Sequence, residues 1–400
     1  MAVTAYPQRA ARRTTSLLDL LYRPEVRQVL FQAILIVAIG ALFWMILSNT
    51  AANLKRQNIA SGFGFWNTTA GFDISQTLVE YSNTSTYGRA FWVGFCNTIL
   101  VAVIGIVLAT IVGFTMGIAR LSTNWLIARL ATVYVETIRN IPLLLQLFVW
   151  YFAVLKAVPP PRQSLELPGG AFLNLRGLYL PAPVPKPGFD AVLLALAIAF
   201  FTAVAIALWA RRRQQRTGAQ FPTGLVSLGL IVVVPAAVFL LAGAPLDFAY
   251  PKLRGFNFEG GIVILPELMA LIIGLVVYTG AFIAEIVRAG IQGVSKGQKE
   301  AARAIGLTQG QMLRLVVIPQ AMRIIIPPLT NNYLNLTKNS SLAVAIAYPD
   351  LVSVFAGTVL NQTGQAVEVI LITMLVYLSL SLLTSLFMNW FNARMALVER

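Results

Sequence analysis

The stretch Val29 to Leu47, VLFQAILIVAIGALFWMIL, is almost wholly apolar over about the length that carries a helix through a hydrocarbon core of roughly 30 Å. Such runs recur along the chain. Spans are expected at about 29–49, 91–118, 128–155, 190–210, 224–243, 263–286, 323–347 and 366–390. With 58% hydrophobic residues, 11% charged residues and a mean hydropathy of +0.75, the 400-residue chain reads as an all-α polytopic membrane protein of about eight transmembrane helices. Two spans are less clean. The third holds Glu136 and Arg139, and the seventh contains the polar run PPLTNNYLNLTKNSSLAVAIA.

The net charge is +15, yet Lys and Arg lie in short connections between apolar runs, a pattern of membrane topology and not of nucleic-acid binding. They concentrate at Arg9, Arg12, Arg13, Arg23 and Arg27, at 120–129, 211–216 and 288–323, and at Arg394 and Arg400. The positive-inside rule then places both termini in the cytoplasm. The first run exceeds the 7–15 residues of a signal-peptide core, so it is expected to be an uncleaved anchor despite the paired arginines of ARRTTSLLDL.

Several chemistries are absent at the level of residues. Without histidine there is no Ser/His/Asp triad and no HExxH zinc site, and no GxxxxGK[ST] loop is present to hold ATP. The single cysteine, Cys96, lies in an apolar run, which rules out an intrachain disulfide. An enzyme is a poor reading, and no cofactor or metal is expected on this chain.

Between the sixth and seventh spans the chain turns charged and alanine-rich: KGQKEAARAIGLTQGQ, 296–311. Glu300 to Ile305 are good helix formers, bracketed by Gly297 and Gly306, and Glu300 near the start suits the helix dipole. A helix of about two turns with a shallow apolar face is expected there. Glu300-Ala301-Ala302, three residues, Gly306, nine residues and then Val316-Val317-Ile318-Pro319 resemble the EAA signature of ABC importer permeases. YTGAFIAEIVRAGIQGVSKGQKEAARAIGL (278–307), VVIPQAMRIIIPPLTNNYLNLTKNSSLAVAI (316–346) and YVETIRNIPLLLQLFVWYF (134–152) look like its polar-amino-acid branch. The resemblance covers five spans. It implies a five-helix type I importer core and places Gly297, Glu300, Ala301, Ala302, Ala304 and Gly306 at a coupling helix that meets an ATPase subunit.

It further implies ABC ATPase subunits that hold ATP and Mg, a second and non-identical permease, a periplasmic amino-acid-binding protein and an amino-acid substrate, in a bacterial inner membrane. Nucleic acid has no place in this scheme. A first helix and an inserted hairpin exceed the minimal core, as in the long permeases of broad-specificity L-amino-acid importers. The expected organisation is 1–88 (N-terminus, first helix and outer loop), 89–157 (two core helices), 158–262 (inserted outer loop and hairpin) and 263–400 (three core helices with a coupling loop at 289–322). The Pro/Gly-rich segment 158–189 is expected to be an irregular loop without a core of its own.

On a helix Asn331, Asn335 and Lys338 fall at i, i+4 and i+7 and so share one side. They either line a pathway for a zwitterion or hydrogen-bond neighbouring helices, with Lys338 alternatively snorkelling to the interface. Glu136 and Arg139, three apart, are expected to pair, with Pro142 kinking the span; the pair belongs either to a gate or substrate site or to helix packing. Asn140 and Gln146 are further candidates for the pathway. Glu285 and Arg288 are expected to brace the coupling helix. The alternative functions are an ion-coupled secondary transporter, which leaves the EAA pattern unexplained, a permease for another small polar solute, and a membrane enzyme or scaffold.

Overall fold

The structure, a computed structural model, describes residues 24–57 and 60–395. Arg9, Arg12, Arg13, Arg23 and Arg400, with the ARRTTSLLDL segment, lie outside the described residues. Seven described helices are long and apolar enough to cross a membrane, and an eighth span is a bent pair.

Helix α1 (Pro24–Arg56) has none of its most apolar window buried. Helix α2 (Tyr87–Ala119) starts where the Thr86 side chain accepts from the Arg89 N–H. Next come α3 (Trp125–Arg139), capped by the Asn124 side chain on two backbone N–H groups, and α4 (Leu143–Phe148), which continues irregularly to Ala157. The third span, expected as one helix kinked at Pro142, is two helices bent by 106°. Pro142 supplies no backbone N–H, and the chain turns at that point.

Strands β1 (Leu165–Leu167), β2 (Ala171–Asn174), β3 (Gly177–Leu180) and β4 (Ala182–Pro185) follow, then the helical hairpin α5 (Phe189–Thr217) and α6 (Thr223–Leu241). The chain returns through β5 (Leu246–Ala249), β6 (Lys252–Arg254), β7 (Asn257–Glu259) and β8 (Ile262–Ile264). The segment expected to lack a core has one. An antiparallel sheet of order β1-β2-β3-β8 joins the two sides of the hairpin, while β4–β5 and β6–β7 form ribbons. Phe258 sits between Phe172 and Tyr179, with ring centroids 4.8 and 5.0 Å away, and both Tyr179 and Phe258 are buried.

The chain ends with α7 (Pro266–Gln292), α8 (Lys296–Ala304), α9 (Ile318–Asn339) and α10 (Ala366–Met395). Helices α2, α7 and α9 form the centre, where Ala109, Ile283, Val287, Ile325 and Leu336 bury one another. Glycine sets the approach of α2 to α7: a Cβ on Gly117 would lie 2.7 Å from the Ala284 carbonyl oxygen. At the end away from α8, the α9–α10 connection folds back into the bundle. Asn97 donates to the Pro349 carbonyl at 2.8 Å, and Thr98 Oγ1 accepts from the Leu351 N–H at 3.0 Å. Asp350, fully buried, accepts from the Ser353 N–H at 2.8 Å and the Tyr377 hydroxyl at 3.2 Å. Burial pushes its carboxyl up to about 7.

Candidate functional site

The candidate coupling segment is a fully capped helix. Ser295 accepts from the Gln298 N–H and α8 begins at Lys296, so Gly297 falls inside its first turn and Glu300 at its middle, a longer helix than the one expected from Glu300. It ends in a Schellman motif: the Gly306 N–H donates to Arg303 O at 2.9 Å and the Leu307 N–H to Ala302 O at 3.2 Å. Gly306 holds φ +78°, a conformation glycine adopts without penalty. Thr308 and Gln311 then form a capping box for the next turn, and Gln320 reaches back from α9 to Gln298.

Burial divides the expected contact residues. Ala302 is only 4% exposed and packs with Val294, Met312 and Val317 of its own chain, so it anchors α8 and does not lie on an open face. Gly297, Glu300, Ala301, Ala304 and Gly306 are exposed, and beside them Ile305 stands 76% exposed. That aliphatic knob was not singled out in the sequence, although its place next to the glycine cap is the signal that marks it.

Where α2, α3 and α7 meet toward the α8 end, charges form a chain. Arg120 donates to Glu136 at 3.1 Å and to Glu285, which also accepts from Arg288. The expected Glu136–Arg139 pair is absent, because Arg120 from the neighbouring helix takes the carboxylate. Arg139 instead places its guanidinium 5.1 Å from the Phe282 ring centroid and makes no ion pair among the described residues. Glu285 ties α7 to Arg120 at the end of α2, Arg288 bonds only to Glu285 and Gln292 of its own helix, and no bond from either to α8 occurs among the described residues.

A cleft of about 240 Å³ between α7 and α9 is lined by Tyr278, Thr279, Phe282, Asn332, Asn335 and Asn339. Of the expected polar stripe only Asn335 lines it; Asn331 and Lys338 are exposed beside it. Asn332 and Asn339, at i−3 and i+4 from Asn335, share its face in the same polar run, one position away from the stripe that the spacing of Asn331, Asn335 and Lys338 suggests. Gln146 and Asn140 do other work. Gln146 donates to the Ile138 and Ile141 carbonyls, both at 3.0 Å, and Asn140 to the Glu136 carbonyl, so they satisfy backbone groups freed at the α3–α4 break.

Residues 105–397 match the family described as binding-protein-dependent transport system inner membrane component. The chain is 56% identical, over 95% of its length and 95% of the relative's, to the general L-amino acid transport system permease protein AapQ of Rhizobium johnstonii. It is 52% identical, over 94% of its length and 96% of the relative's, to the putative amino-acid ABC transporter permease protein YhdX of Escherichia coli. To the glutamate/glutamine/aspartate/asparagine transport system permease protein BztB of Rhodobacter capsulatus it is 40% identical over 100% of both chains. The match therefore reaches beyond the core helices to α1, the β unit and the hairpin. The chain belongs to the family of inner membrane components of binding-protein-dependent transport systems, in its amino-acid ABC permease branch, and is a transport component of the membrane rather than an enzyme.

Proposed function

We propose that this chain is one of two non-identical permease subunits of an ATP-driven importer of broad specificity for L-amino acids, with both termini cytoplasmic in a bacterial inner membrane. Two ATPase subunits bind ATP and Mg and meet the chain at α8; the chain itself holds no cofactor. A periplasmic binding protein delivers substrate at the opposite end, where the β unit adds folded surface around the hairpin.

The observation that carries this reading is the construction of α8. A helix capped at both ends and pinned by Ala302 moves as one piece with the Val294–Val317 cluster, so a push on its exposed residues reaches α7 and α9. A flexible loop would absorb the same push. Alternating access then requires α7 and α9 to shift, and the Asn332–Asn335–Asn339 cleft between them offers hydrogen bonds to a zwitterion. Arg139, behind Phe282, is a cation for its carboxylate.

The test is uptake by the complete complex in proteoliposomes supplied with ATP and binding protein. Gly306→Pro, which breaks the cap, and Ile305→Glu, which charges the knob without touching the core, are expected to lose ATPase attachment or ATP-coupled uptake at least tenfold. Wild-type uptake in both variants overturns the assignment of α8. Uptake by the chain alone without ATP establishes the secondary-transport reading instead.

A further inference from the structure

At the α8-side turn of the inserted hairpin, α5 continues two turns past its apolar run and carries Arg211, Arg212, Arg213 and Arg216, all exposed. On a helix Trp209, Arg212, Arg213 and Arg216 lie three or four positions apart and share a face. The turn is well fixed. The Arg213 guanidinium stacks 5.3 Å from the Trp209 centroid, Trp209 meets Phe221 edge-on at 5.6 Å, and Gly218 at φ +69° ends the helix between them.

Among the described residues these cations have no protein acceptor. None forms an ion pair among the described residues, and from Ala191 to Leu246 the sequence contains no Asp or Glu. The hairpin exposes apolar side chains on nearly all sides: α6 buries no residue among those described, and α5 buries only Ala195, Ala199, Ala203 and Ala210. A surface apolar on nearly all sides suits acyl chains. The arginines begin where the apolar run ends, at headgroup depth, beside an indole of the kind that favours the membrane interface. An acidic protein surface is the weaker occupant, since the ATPase-facing helix α8 belongs to a different element.

We propose that the face formed by Trp209, Arg212, Arg213 and Arg216 binds the phosphodiester headgroup of an anionic phospholipid in the leaflet on the α8 side. Guanidinium forks match phosphate oxygens in pairs, and stacking on the indole holds Arg213 in place for them. The bound lipid ties an otherwise loosely attached hairpin to the bilayer plane.

The experiment uses the complete transporter complex in mixed micelles of phosphatidylglycerol and phosphatidylcholine, with retained lipid counted by native mass spectrometry. The wild-type complex is expected to retain phosphatidylglycerol several-fold over phosphatidylcholine, and R212Q/R213Q/R216Q to lose that preference. R212K/R213K/R216K should keep part of it, and R254Q on the opposite side all of it. Equal retention by wild type and the Gln variant overturns the proposal, as does loss of ATPase subunits from that variant with its lipid intact. Full competition by soluble glycerol phosphate at equal concentration overturns the lipid as the source of the phosphate.

Discussion

Helices α2 and α7 of the central bundle and the two helices of the inserted hairpin are comparably apolar, yet they use small residues differently. In the bundle, α2 carries Gly113 and Gly117 against α7, and the backbones come so close that any side chain at Gly117 would meet the Ala284 carbonyl and Val287. In the hairpin, α5 offers Ala195, Ala199 and Ala203 at every fourth position, while Gly224 and Gly229 on α6 have open space beside them. Between helices in lipid the gain comes from close packing. The bundle's helices are therefore committed to one arrangement, whereas the hairpin has contacts that tolerate change. A part that transmits force needs the first kind of packing, and a peripheral attachment does not.

Matched glycine substitutions break this comparison most directly. Gly117→Val is expected to cost about 3 kcal/mol or more, because the obstacle is a backbone carbonyl that cannot rotate away. Gly229→Val should be neutral or mildly stabilising, since nothing lies within 4 Å of its Cβ position. The yield of monodisperse protein and its thermal midpoint read both. Equal losses would show that the hairpin is packed as tightly as the bundle.

Charge pairs sharpen the contrast at a smaller scale. Arg120, with its side chain 9% exposed, holds two carboxylates from two helices, so Arg120→Ala leaves Glu136 and Glu285 facing each other across partly exposed space. Since both carboxylates reach some water, we expect about 2 kcal/mol, less than a fully buried pair. Arg254–Glu259 on the β6–β7 ribbon is exposed on both sides, and Arg254→Ala should cost under about 1 kcal/mol. Denaturation midpoints of the two variants in the same detergent decide this, and raised salt should narrow the gap.

What the sequence revealed divides along the same line. Most spans of the bundle and the hairpin were legible because about 20 apolar residues in a row have few other destinations, the seventh is too polar for hydropathy alone to mark it, and the coupling helix was legible because its alanines and closing glycine are local signals. The β unit was not legible. Its strands are three or four residues long, too short for alternation to register, and β3 pairs with β8 across the whole hairpin. The partner of Glu136 was missed for a related reason: spacing along one helix proposes Arg139, whereas Arg120 reaches it from a neighbouring helix through tertiary packing. In the cleft, a polar run announced that α9 has a polar face, but the rotation of the helix against α7 selected Asn332 and Asn339 over Asn331 and Lys338.

Two aspartates carry the comparison into pH dependence, with opposite signs. Asp350 is buried between α2 and α10, and burial raises its carboxyl from 3.8 to about 7. The folded state therefore binds this proton more tightly than the unfolded chain, so the Asp350 contribution to stability is largest below 3.8 and declines as pH rises to about 7, by up to about 1.4 kcal/mol per unit. Asp247, on the exposed β4–β5 ribbon, is shifted down, first by the Phe248 N–H at 2.9 Å and then by Lys186 at 3.1 Å. Its contribution is present above 3.8 and is lost as pH falls through its lower folded value. Thermal midpoints from pH 5.5 to 7.5 should fall in the wild type and flatten in Asp350→Asn, while Asp247→Asn should track the wild type throughout. If Asp350→Asn keeps the full slope, the buried carboxyl is not its source. A slope that disappears in Asp247→Asn would place the pH-sensitive group in the insert and reverse the comparison.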